Sequence, residues 1–235
     1  MKTVAIIPAG GSGTRMESGV PKQYLLLGGV PILVHTLRVF QETQSVDDIF
    51  LVLPAGDLEE ARQKIVKKYK LTKVSRILAG GKHRQDSVKN GIEALGAEYD
   101  MVVIHDGVRP FVSRELVDIA IREAAEAAAT TVGVPVRDTV KAVKVDGFVD
   151  RTIKRDKLWL TQTPQAFVAL VIKEAYRRAY EDNYYGTDDA VLVERMGIKV
   201  KMLPGSYDNI KITTRADLKW GELLLKMRDG NYSGV

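Results

Sequence analysis

The sequence predicts an α/β fold, with a Rossmann-like, mostly parallel open sheet and helices on both faces. Strand-like apolar runs alternate with helical patterns over most of the 235 residues, which is typical of right-handed βαβ units. Three unusual loops follow the first, third and fourth runs: AGGSGTRM, AGGKHRQDS and HDGVRP. Because parallel strands end at one edge of a sheet, we expect these loops to form a ligand site together.

The predicted elements follow one another in a regular order. Four strand and helix pairs come first, each an apolar run followed by apolar residues at helical spacing. A fifth strand and a hairpin come next, and then two helices, a strand and a closing helix. The predicted strands are 3–8, 48–54, 74–80, 100–106, 131–136 and 198–203, and the predicted helices are 31–40, 57–69, 84–95, 113–129, 168–181, 187–196 and one after 213.

Residues 137–155 interrupt this alternation and are predicted to form a β-hairpin arm. Apolar and charged residues alternate around Asp146-Gly147, a strong signal for a two-residue hairpin turn. A two-stranded ribbon is marginal alone in water, so we expect the arm to pair with that of a second chain. We predict a single domain over 1–235, with the arm within it and a homodimer formed through the arm.

The amino-acid composition limits the classes of protein to which this chain can belong. The chain is 45% hydrophobic, which is enough to form a hydrophobic core without disulfides or structural metals, and it has no cysteine. No export signal or apolar run of membrane-spanning length is visible, so we expect a soluble, cytoplasmic protein without membrane contact. The net charge is +5, and residues 137–157 hold seven basic and four acidic residues. A solvated hairpin or a site for a small anion would explain this stretch, and we expect no nucleic-acid partner.

The first glycine-rich loop indicates a nucleotide site, because backbone N–H groups approach phosphate closely where no Cβ intervenes. Met16 replaces the third glycine of the dinucleotide fingerprint, and Pro54 stands where a ribose-binding acid is expected, which disfavours a nicotinamide-dependent dehydrogenase. The P-loop spacing is also missing. The residues predicted to bind nucleotide here are Ala9, Gly10, Gly11 and Gly13.

Two cations lie in and just after this loop, Arg15 and Lys22. Nucleotidyl transfer builds negative charge on a five-coordinate phosphorus, and fixed guanidinium and ammonium groups stabilise that charge. The alternative is a surface loop whose cations face water. Their position beside a glycine-rich turn favours the catalytic interpretation.

The segment HDGVRP places a carboxylate at the end of the fourth strand. Asp106 can hold Mg²⁺ against nucleotide phosphates, and the small Gly107 would let the ligand pass close. The alternative is an aspartate that only accepts hydrogen bonds from loop N–H groups. We predict the functional role for Asp106 and a packed, structural role for His105.

The third loop provides a second pair of glycines before a helix. The backbone of Gly80 and Gly81, with the Ser87 hydroxyl, could recognise the edge of a base; a plain helix-start role for Ser87 is the alternative. Further along, Thr187 is predicted to cap a helix, with Asp188 and Asp189 as acids matched to the helix dipole.

Eight segments between residues 8 and 214 resemble those of a known family. They are AGGSGTRM, PKQY, AGGKHRQDSV, HDGVRPF, PVRDTVK, IKRDKLWLTQTPQAF, GTDDA and DNIKIT. In this order they resemble the 2-C-methyl-D-erythritol 4-phosphate cytidylyltransferases of the non-mevalonate isoprenoid pathway. The resemblance implies a nucleotidyltransferase that converts CTP and 2-C-methyl-D-erythritol 4-phosphate to 4-diphosphocytidyl-2-C-methyl-D-erythritol and pyrophosphate.

The resemblance also implies roles on the nucleotide side. The acceptor phosphate would attack the α-phosphate of CTP, and the two loop cations would stabilise the transition state. Asp106 would bind Mg²⁺ and the polyol. Gly81 and Ser87 would recognise cytosine and ribose, and Gly107 would lie in the nucleotide pocket.

On the acceptor side, the resemblance implies residues that carry no local signal of their own. Arg155 and Lys211 would position the acceptor phosphate, assisted by Thr139, Arg109 and Thr163. Since Thr139 and Arg155 belong to the arm, the resemblance suggests that the arm of one subunit completes the acceptor site of its partner.

A related family leaves the acceptor open to an alternative. Ribitol 5-phosphate cytidylyltransferases share the glycine loop, HD-x-x-RP and TPQ-F, and the doubled glycine of AGGSG favours that branch. The segments PVRDTVK and KRDKLW favour the erythritol branch. Because these segments lie where the acceptor would bind, we predict the erythritol phosphate, with ribitol 5-phosphate as the alternative.

Overall fold

The structure is a computed structural model, and it describes residues 1–10 and 20–228. Its strands are β1 (Thr3–Pro8), β2 (Leu26–Leu27), β3 (Val30–Pro31), β4 (Asp48–Leu53), β5 (Val74–Ala79), β6 (Met101–Ile104), β7 (Ala129–Pro135), β8 (Val140–Val143), β9 (Val149–Ile153), β10 (Trp159–Val168) and β11 (Lys201–Pro204). Its α-helices are α1 (Ile32–Glu42), α2 (Leu58–Ala61), α3 (Arg84–Glu93), α4 (Arg114–Ala127), α5 (Ala169–Glu181), α6 (Ala190–Glu194) and α7 (Arg215–Arg228).

The predicted fold class is confirmed by the central sheet. Seven strands lie in the order β11-β7-β10-β6-β1-β4-β5. Neighbours pair in parallel except β10, which runs antiparallel to both β6 and β7. The carboxyl ends of β1, β5 and β6 therefore lie at one edge, as the three loops predicted.

The sheet is covered by apolar layers on both faces. Side chains of β1 alternate between them: Ala5 and Ile7 pack with α1, α2 and α4, and Val4 and Ile6 pack with α3, α5 and α6. A smaller cluster joins α7 to β2 and to the segment after β6. In the described residues no helix is long and apolar enough to span a bilayer.

Strand β10 was not predicted, and it shapes the site. Its sequence contains Pro164, which weakens a strand pattern, and the register with β7 shifts between Gln162 and Gln165. Gln165 pairs with Ile104 at the end of β6. Thr163 consequently lies beside the loop that follows β6.

Several predicted boundaries differ from the structure: β7 begins at Ala129 instead of 131, and α6 begins at Ala190 instead of 187. The helix predicted over 57–69 is α-helical only over Leu58–Ala61 and continues as a π-helix over Arg62–Lys67. Its predicted apolar face is still buried at Ala61 and Ile65. The last predicted strand begins later, at Lys201 instead of 198.

The arm forms a two-stranded sheet of its own. Strands β8 and β9 pair with each other in antiparallel orientation and with no other strand among the described residues. Val143, Val145, Phe148 and Val149 are all more than half exposed. The predicted hairpin is thus present, and its apolar residues have little cover from the chain to which they belong.

Candidate active site

Two cavities open at the carboxyl edge of the sheet and share a wall. The first, which we call the loop cavity, has a volume of about 320 Å³. It is lined by many of the residues predicted to bind nucleotide or to act in catalysis, namely Ala9, Gly10, Lys22, Gly81, Ser87, Asp106 and Lys211. The second, which we call the β10 cavity, measures about 240 Å³ and contains Arg109 and Thr163. Arg84, Asp106 and Lys211 line both cavities.

The glycine loop after β5 is closed by contacts with the first turn of α3. Ser87 Oγ accepts a hydrogen bond from Gly81 N–H at 3.2 Å and donates to the His83 carbonyl at 3.1 Å. A Cβ on Gly81 would lie 2.3 Å from the Cβ of Asp86, so only glycine fits there. Gly80 donates its N–H to Leu53 at 2.7 Å. The loop is therefore held in one shape, with Gly81 and Ser87 facing the loop cavity.

Gly107 allows a close contact between the loop after β6 and the end of β1. Its N–H donates to the Pro8 carbonyl at 3.1 Å, and a Cβ would lie 2.8 Å from Cβ of Ala9. The absence of a side chain lets the loop after β6 pack against the end of β1. Gly107 itself is buried and does not line either cavity.

Asp106 lies at the centre of a group of cations. Its Oδ1 is 2.8 Å from Arg84 Nε, and its Oδ2 is 2.9 Å from Lys211 Nζ and 3.6 Å from Arg109 Nε. Burial alone would raise the pKa of this carboxyl, but the three positive charges outweigh it and hold the pKa well below its usual range. Asp106 is therefore ionised, and it fixes the positions of all three cations.

The neutral side chain of His105 is linked to Asp106 through the hydroxyl of Thr163. Asp106 N–H donates to Thr163 Oγ1 at 3.1 Å, which leaves the Thr163 hydroxyl to donate to His105 Nδ1 at 3.0 Å. Nε2 of His105 then donates to the Arg109 carbonyl at 3.1 Å. Burial lowers the pKa of His105 to about 4. The structural role predicted for His105 is confirmed.

Lys22 begins a short 3₁₀ turn, Lys22–Tyr24, that follows Pro21. It lines the loop cavity together with Asp106. The predicted site residues Gly11, Gly13 and Arg15 lie outside the described residues, so their predicted roles stay predictions.

Thr139 and Arg155 are brought to neither cavity within one chain. Both are exposed at the base of the arm, and the Arg155 guanidinium donates to the Arg137 carbonyl. Neither residue lines the loop cavity or the β10 cavity. Their predicted part in the acceptor site requires a second chain.

Arg84 is a site residue that sequence reasoning missed. It is the first residue of α3 and reads as an ordinary exposed cation, yet it contacts Asp106 and also lies 2.8 Å, through Nη2, from Oδ2 of the buried Asp189. Asp189 was interpreted only as an acid at a helix start. The N-cap residue of α6 is Asp189, whose side chain makes no capping bond, and not Thr187 as predicted. Oδ1 of the neighbouring Asp188 accepts from Val191 N–H at 3.0 Å.

The residues present allow Mg²⁺ only together with a phosphate ligand. The described part of the chain contains no group of three or more acidic, histidine or cysteine side chains that could hold a metal. A carboxylate has about four lone-pair positions, and three cations already contact Asp106. Mg²⁺ usually takes one or two carboxylates and completes its shell with water and substrate phosphates, so Asp106 suits a single ligand of that kind.

Comparisons with known proteins show which family this chain resembles. The profile of the family described as "2-C-methyl-D-erythritol 4-phosphate cytidylyltransferase" matches residues 3–227. A protein of that name from Syntrophus aciditrophicus is 52% identical over 229 residues, covering 97% of this chain and 98% of the relative. Another from Geobacter metallireducens is 47% identical, covering 96% and 98%. The crystal structure of 4-diphosphocytidyl-2C-methyl-D-erythritol synthase from Anaerococcus prevotii superimposes with a TM-score of 0.84 at 35% identity, covering 96% of each chain.

The buried histidine generates a prediction about stability and pH. The pKa of His105 is about 4 in the folded chain and ordinarily about 6.5, so between these values the unfolded state binds a proton that the folded state does not. The contribution of His105 to the free energy of unfolding is therefore fully present above pH 6.5 and is lost as the pH falls towards 4. We expect urea denaturation to show a loss of about 2–3 kcal/mol between pH 7 and pH 4.5 that His105→Gln largely lacks. The control His83→Gln should keep the wild-type loss, and an equally large loss in His105→Gln would contradict this account.

Proposed function

The chain belongs to the 2-C-methyl-D-erythritol 4-phosphate cytidylyltransferase family, and we propose that it converts CTP and 2-C-methyl-D-erythritol 4-phosphate to 4-diphosphocytidyl-2-C-methyl-D-erythritol and pyrophosphate. It is a nucleotidyltransferase. The relatives it matches carry the erythritol name, which does not favour the ribitol alternative. The observation that carries the proposal is the meeting of two cavities at one cation-rich wall around Asp106.

The two cavities suit two substrates that must meet. CTP would lie in the loop cavity, with its base at Gly81 and Ser87 and its triphosphate near Lys22. The acceptor would lie in the β10 cavity, with its phosphate near Arg109, Thr163 and Lys211. Because Arg84, Asp106 and Lys211 line both cavities, the acceptor phosphate and the α-phosphate of CTP would approach each other where the cavities meet, as direct attack requires.

In this reaction an oxygen of the acceptor phosphate attacks the α-phosphorus of CTP. The new bond joins that oxygen to the α-phosphorus, and the bond to the bridging oxygen of the β-phosphate breaks, so that pyrophosphate leaves with the electron pair. No covalent enzyme intermediate is needed. Lys22, together with Arg15, would stabilise the negative charge that builds on the α-phosphate. Lys211 and Arg109 would hold the attacking phosphate.

We also propose that the enzyme uses Mg²⁺. When bound, the ion would neutralise charge on the triphosphate and favour departure of pyrophosphate. Asp106 is the described side chain suited to be one of its ligands, with phosphate oxygens as the others. The absence of cysteine fits the reducing cytoplasm, which we propose as the location.

The arm supports a proposal about assembly. We propose one domain per chain and a homodimer in which the arm, residues 137–155, reaches the partner. Pairing would cover the exposed Val143, Val145 and Phe148 and satisfy the free strand edges of β8 and β9. It would also bring Thr139 and Arg155 to the acceptor site of the other subunit, where one chain alone does not provide them.

The proposed substrates predict a clear base and acceptor preference. Cytosine carries an amino group where uracil has a carbonyl oxygen, and a pocket built for that donor leaves an acceptor unpaired when uracil binds, at a cost of about 1–3 kcal/mol. We expect kcat/KM for CTP to exceed that for UTP by roughly 10- to 100-fold, with 2-C-methyl-D-erythritol 4-phosphate preferred over ribitol 5-phosphate. Pyrophosphate release with four nucleotides and both acceptors measures this. Equal values for CTP and UTP would refute the base-recognition role of the Gly80-Gly81 loop.

Lys22 generates a second prediction. Removing one fixed charge that supplies about 3 kcal/mol to a transition state lowers kcat by ~10² or more. We expect Lys22→Ala to lose this much turnover while its thermal midpoint stays close to wild type. The matched control Lys67→Ala removes an exposed lysine from the π-helical turn and should keep wild-type kinetics. Near-normal turnover in Lys22→Ala would remove Lys22 from the catalytic machinery.

Complementation between subunits tests the arm. In a dimer with shared sites, mixing Arg155→Ala and Lys22→Ala subunits creates one site in each hybrid dimer that has both residues intact. Random exchange should therefore restore about a quarter of the wild-type activity, although each variant alone is nearly inactive. Sedimentation velocity should show a dimer that becomes a monomer when the hairpin is replaced by a short Gly-Ser loop. A fully active monomer after that replacement would disprove the proposed role of the arm.

A further inference from the structure

We propose that Arg84 is a further substrate-binding residue of this enzyme, and that it binds a phosphate oxygen where the loop cavity meets the β10 cavity. The inference rests on the proposed function and adds a residue to the same site. Arg84 lines both cavities, and it is the first helical residue after the glycine loop of β5. A group in that position can contact either substrate.

The guanidinium of Arg84 is fixed by two acids. Its Nε is 2.8 Å from Oδ1 of Asp106, and its Nη2 is 2.8 Å from Oδ2 of Asp189. Nη1 has no hydrogen-bond acceptor among the described residues. Nε thus donates a hydrogen bond to Asp106, whereas Nη2 contacts Asp189 as an ion pair without hydrogen-bond geometry. Nη1 is left to bind a ligand.

The two acids are themselves held by contacts that do not involve Arg84. Asp106 is positioned through its N–H bond to Thr163, and Asp189 is 1% exposed and accepts from the Tyr176 hydroxyl at 2.5 Å. The N–H of Asp189 also donates to Gln165 Oε1 at 3.1 Å. The guanidinium therefore reaches its position before any ligand arrives, which lowers the ordering cost of binding.

The charge around this guanidinium favours an anion. The described charged side chains that line the two cavities or pair with Arg84 are five cations and three acids, which leaves an excess of two positive charges: Lys22, Lys82, Arg84, Arg109 and Lys211 against Asp106, Asp188 and Asp189. Arginine binds phosphate oxygens through directed N–H donors. Phosphate is the chemical group that both substrates carry, and the α-phosphate of CTP and the acceptor phosphate must meet at this junction.

Neighbouring contacts connect Arg84 to the wall of the β10 cavity. Gln85 donates from Nε2 to the Tyr184 carbonyl at 2.9 Å and accepts from Gly186 N–H at 2.8 Å. The Tyr185 hydroxyl donates to Asp86 Oδ1 at 2.9 Å. The start of α3 and the segment before α6 are joined, so Arg84 keeps its place between the two substrates.

The experiment compares Arg84→Gln with Lys89→Gln, which removes a cation from the same helix away from both cavities. We expect Arg84→Gln to lower kcat/KM by roughly 10- to 100-fold, as for loss of one hydrogen bond to a charged group, and Lys89→Gln to stay within about twofold of wild type. Isothermal titration with CTP distinguishes the two sources of phosphate. If the Kd for CTP is raised in Arg84→Gln, the contact belongs to the nucleotide. If this Kd is unchanged and the KM for the erythritol phosphate is raised, the contact belongs to the acceptor. Unchanged values for both would overturn the proposal.

Two further measurements separate binding from folding. Arg84→Gln/Asp189→Asn removes both charges of the Arg84–Asp189 pair, in which only Asp189 is buried, so its thermal midpoint should recover relative to Arg84→Gln while its kcat/KM stays low. Recovery of wild-type kcat/KM would show that Arg84 is only structural. In the wild-type chain, the Arg84 Nε–H NMR resonance should shift on saturation with CTP or with the erythritol phosphate, and no shift with either would overturn the proposal. A wild-type chain that transfers no cytidylyl group would instead refute the proposed function.

Discussion

The carboxylate of Asp106 is the constraint on which the site depends. A buried, ionised carboxylate is costly to take out of water unless cations and hydrogen bonds compensate it. Arg109, three residues further along the chain, supplies that compensation together with Arg84 and Lys211, which are distant in sequence. Asp106 in turn orients each of these cations. One buried carboxylate therefore fixes the positions of three positive groups. Removing the acid would leave three like charges in close proximity.

The sheet topology explains why these groups can meet. Parallel strands bring the loops after β1, β5 and β6 to one edge, and these loops supply the glycines, Arg84 and Asp106. The antiparallel β10 enters between β6 and β7 and carries Thr163 to the same edge, where its hydroxyl connects the Asp106 backbone to His105. A parallel strand in that position would place its carboxyl end at the edge instead. The one reversed strand thus supplies the support for the central carboxylate.

The sequence predicted those parts of the site whose signal is local. A glycine loop after an apolar run, or a bare aspartate at a strand end, has a physical meaning that a few neighbouring residues establish, and Gly81, Ser87, Lys22 and Asp106 do line the loop cavity. Thr163 and Lys211 were suggested only by family resemblance, because nothing nearby in the chain marks them. Arg84 and Asp189 were missed because a cation at the start of one helix and an acid at the start of another are ordinary features. Their 2.8 Å contact depends on how α3 and α6 pack against the sheet, which no local pattern encodes.

The core and the arm hold their charges by different means. Around Asp106, burial and ion pairing fix each group within one chain. At the arm, Thr139 and Arg155 lie on an exposed ribbon that has little apolar surface to anchor it. Such a ribbon becomes ordered by pairing with a partner. Dimerisation would therefore both stabilise the arm and bring these two residues to a site. On this view the nucleotide side of the site depends on the folding of one chain, whereas the acceptor side depends on the association of two.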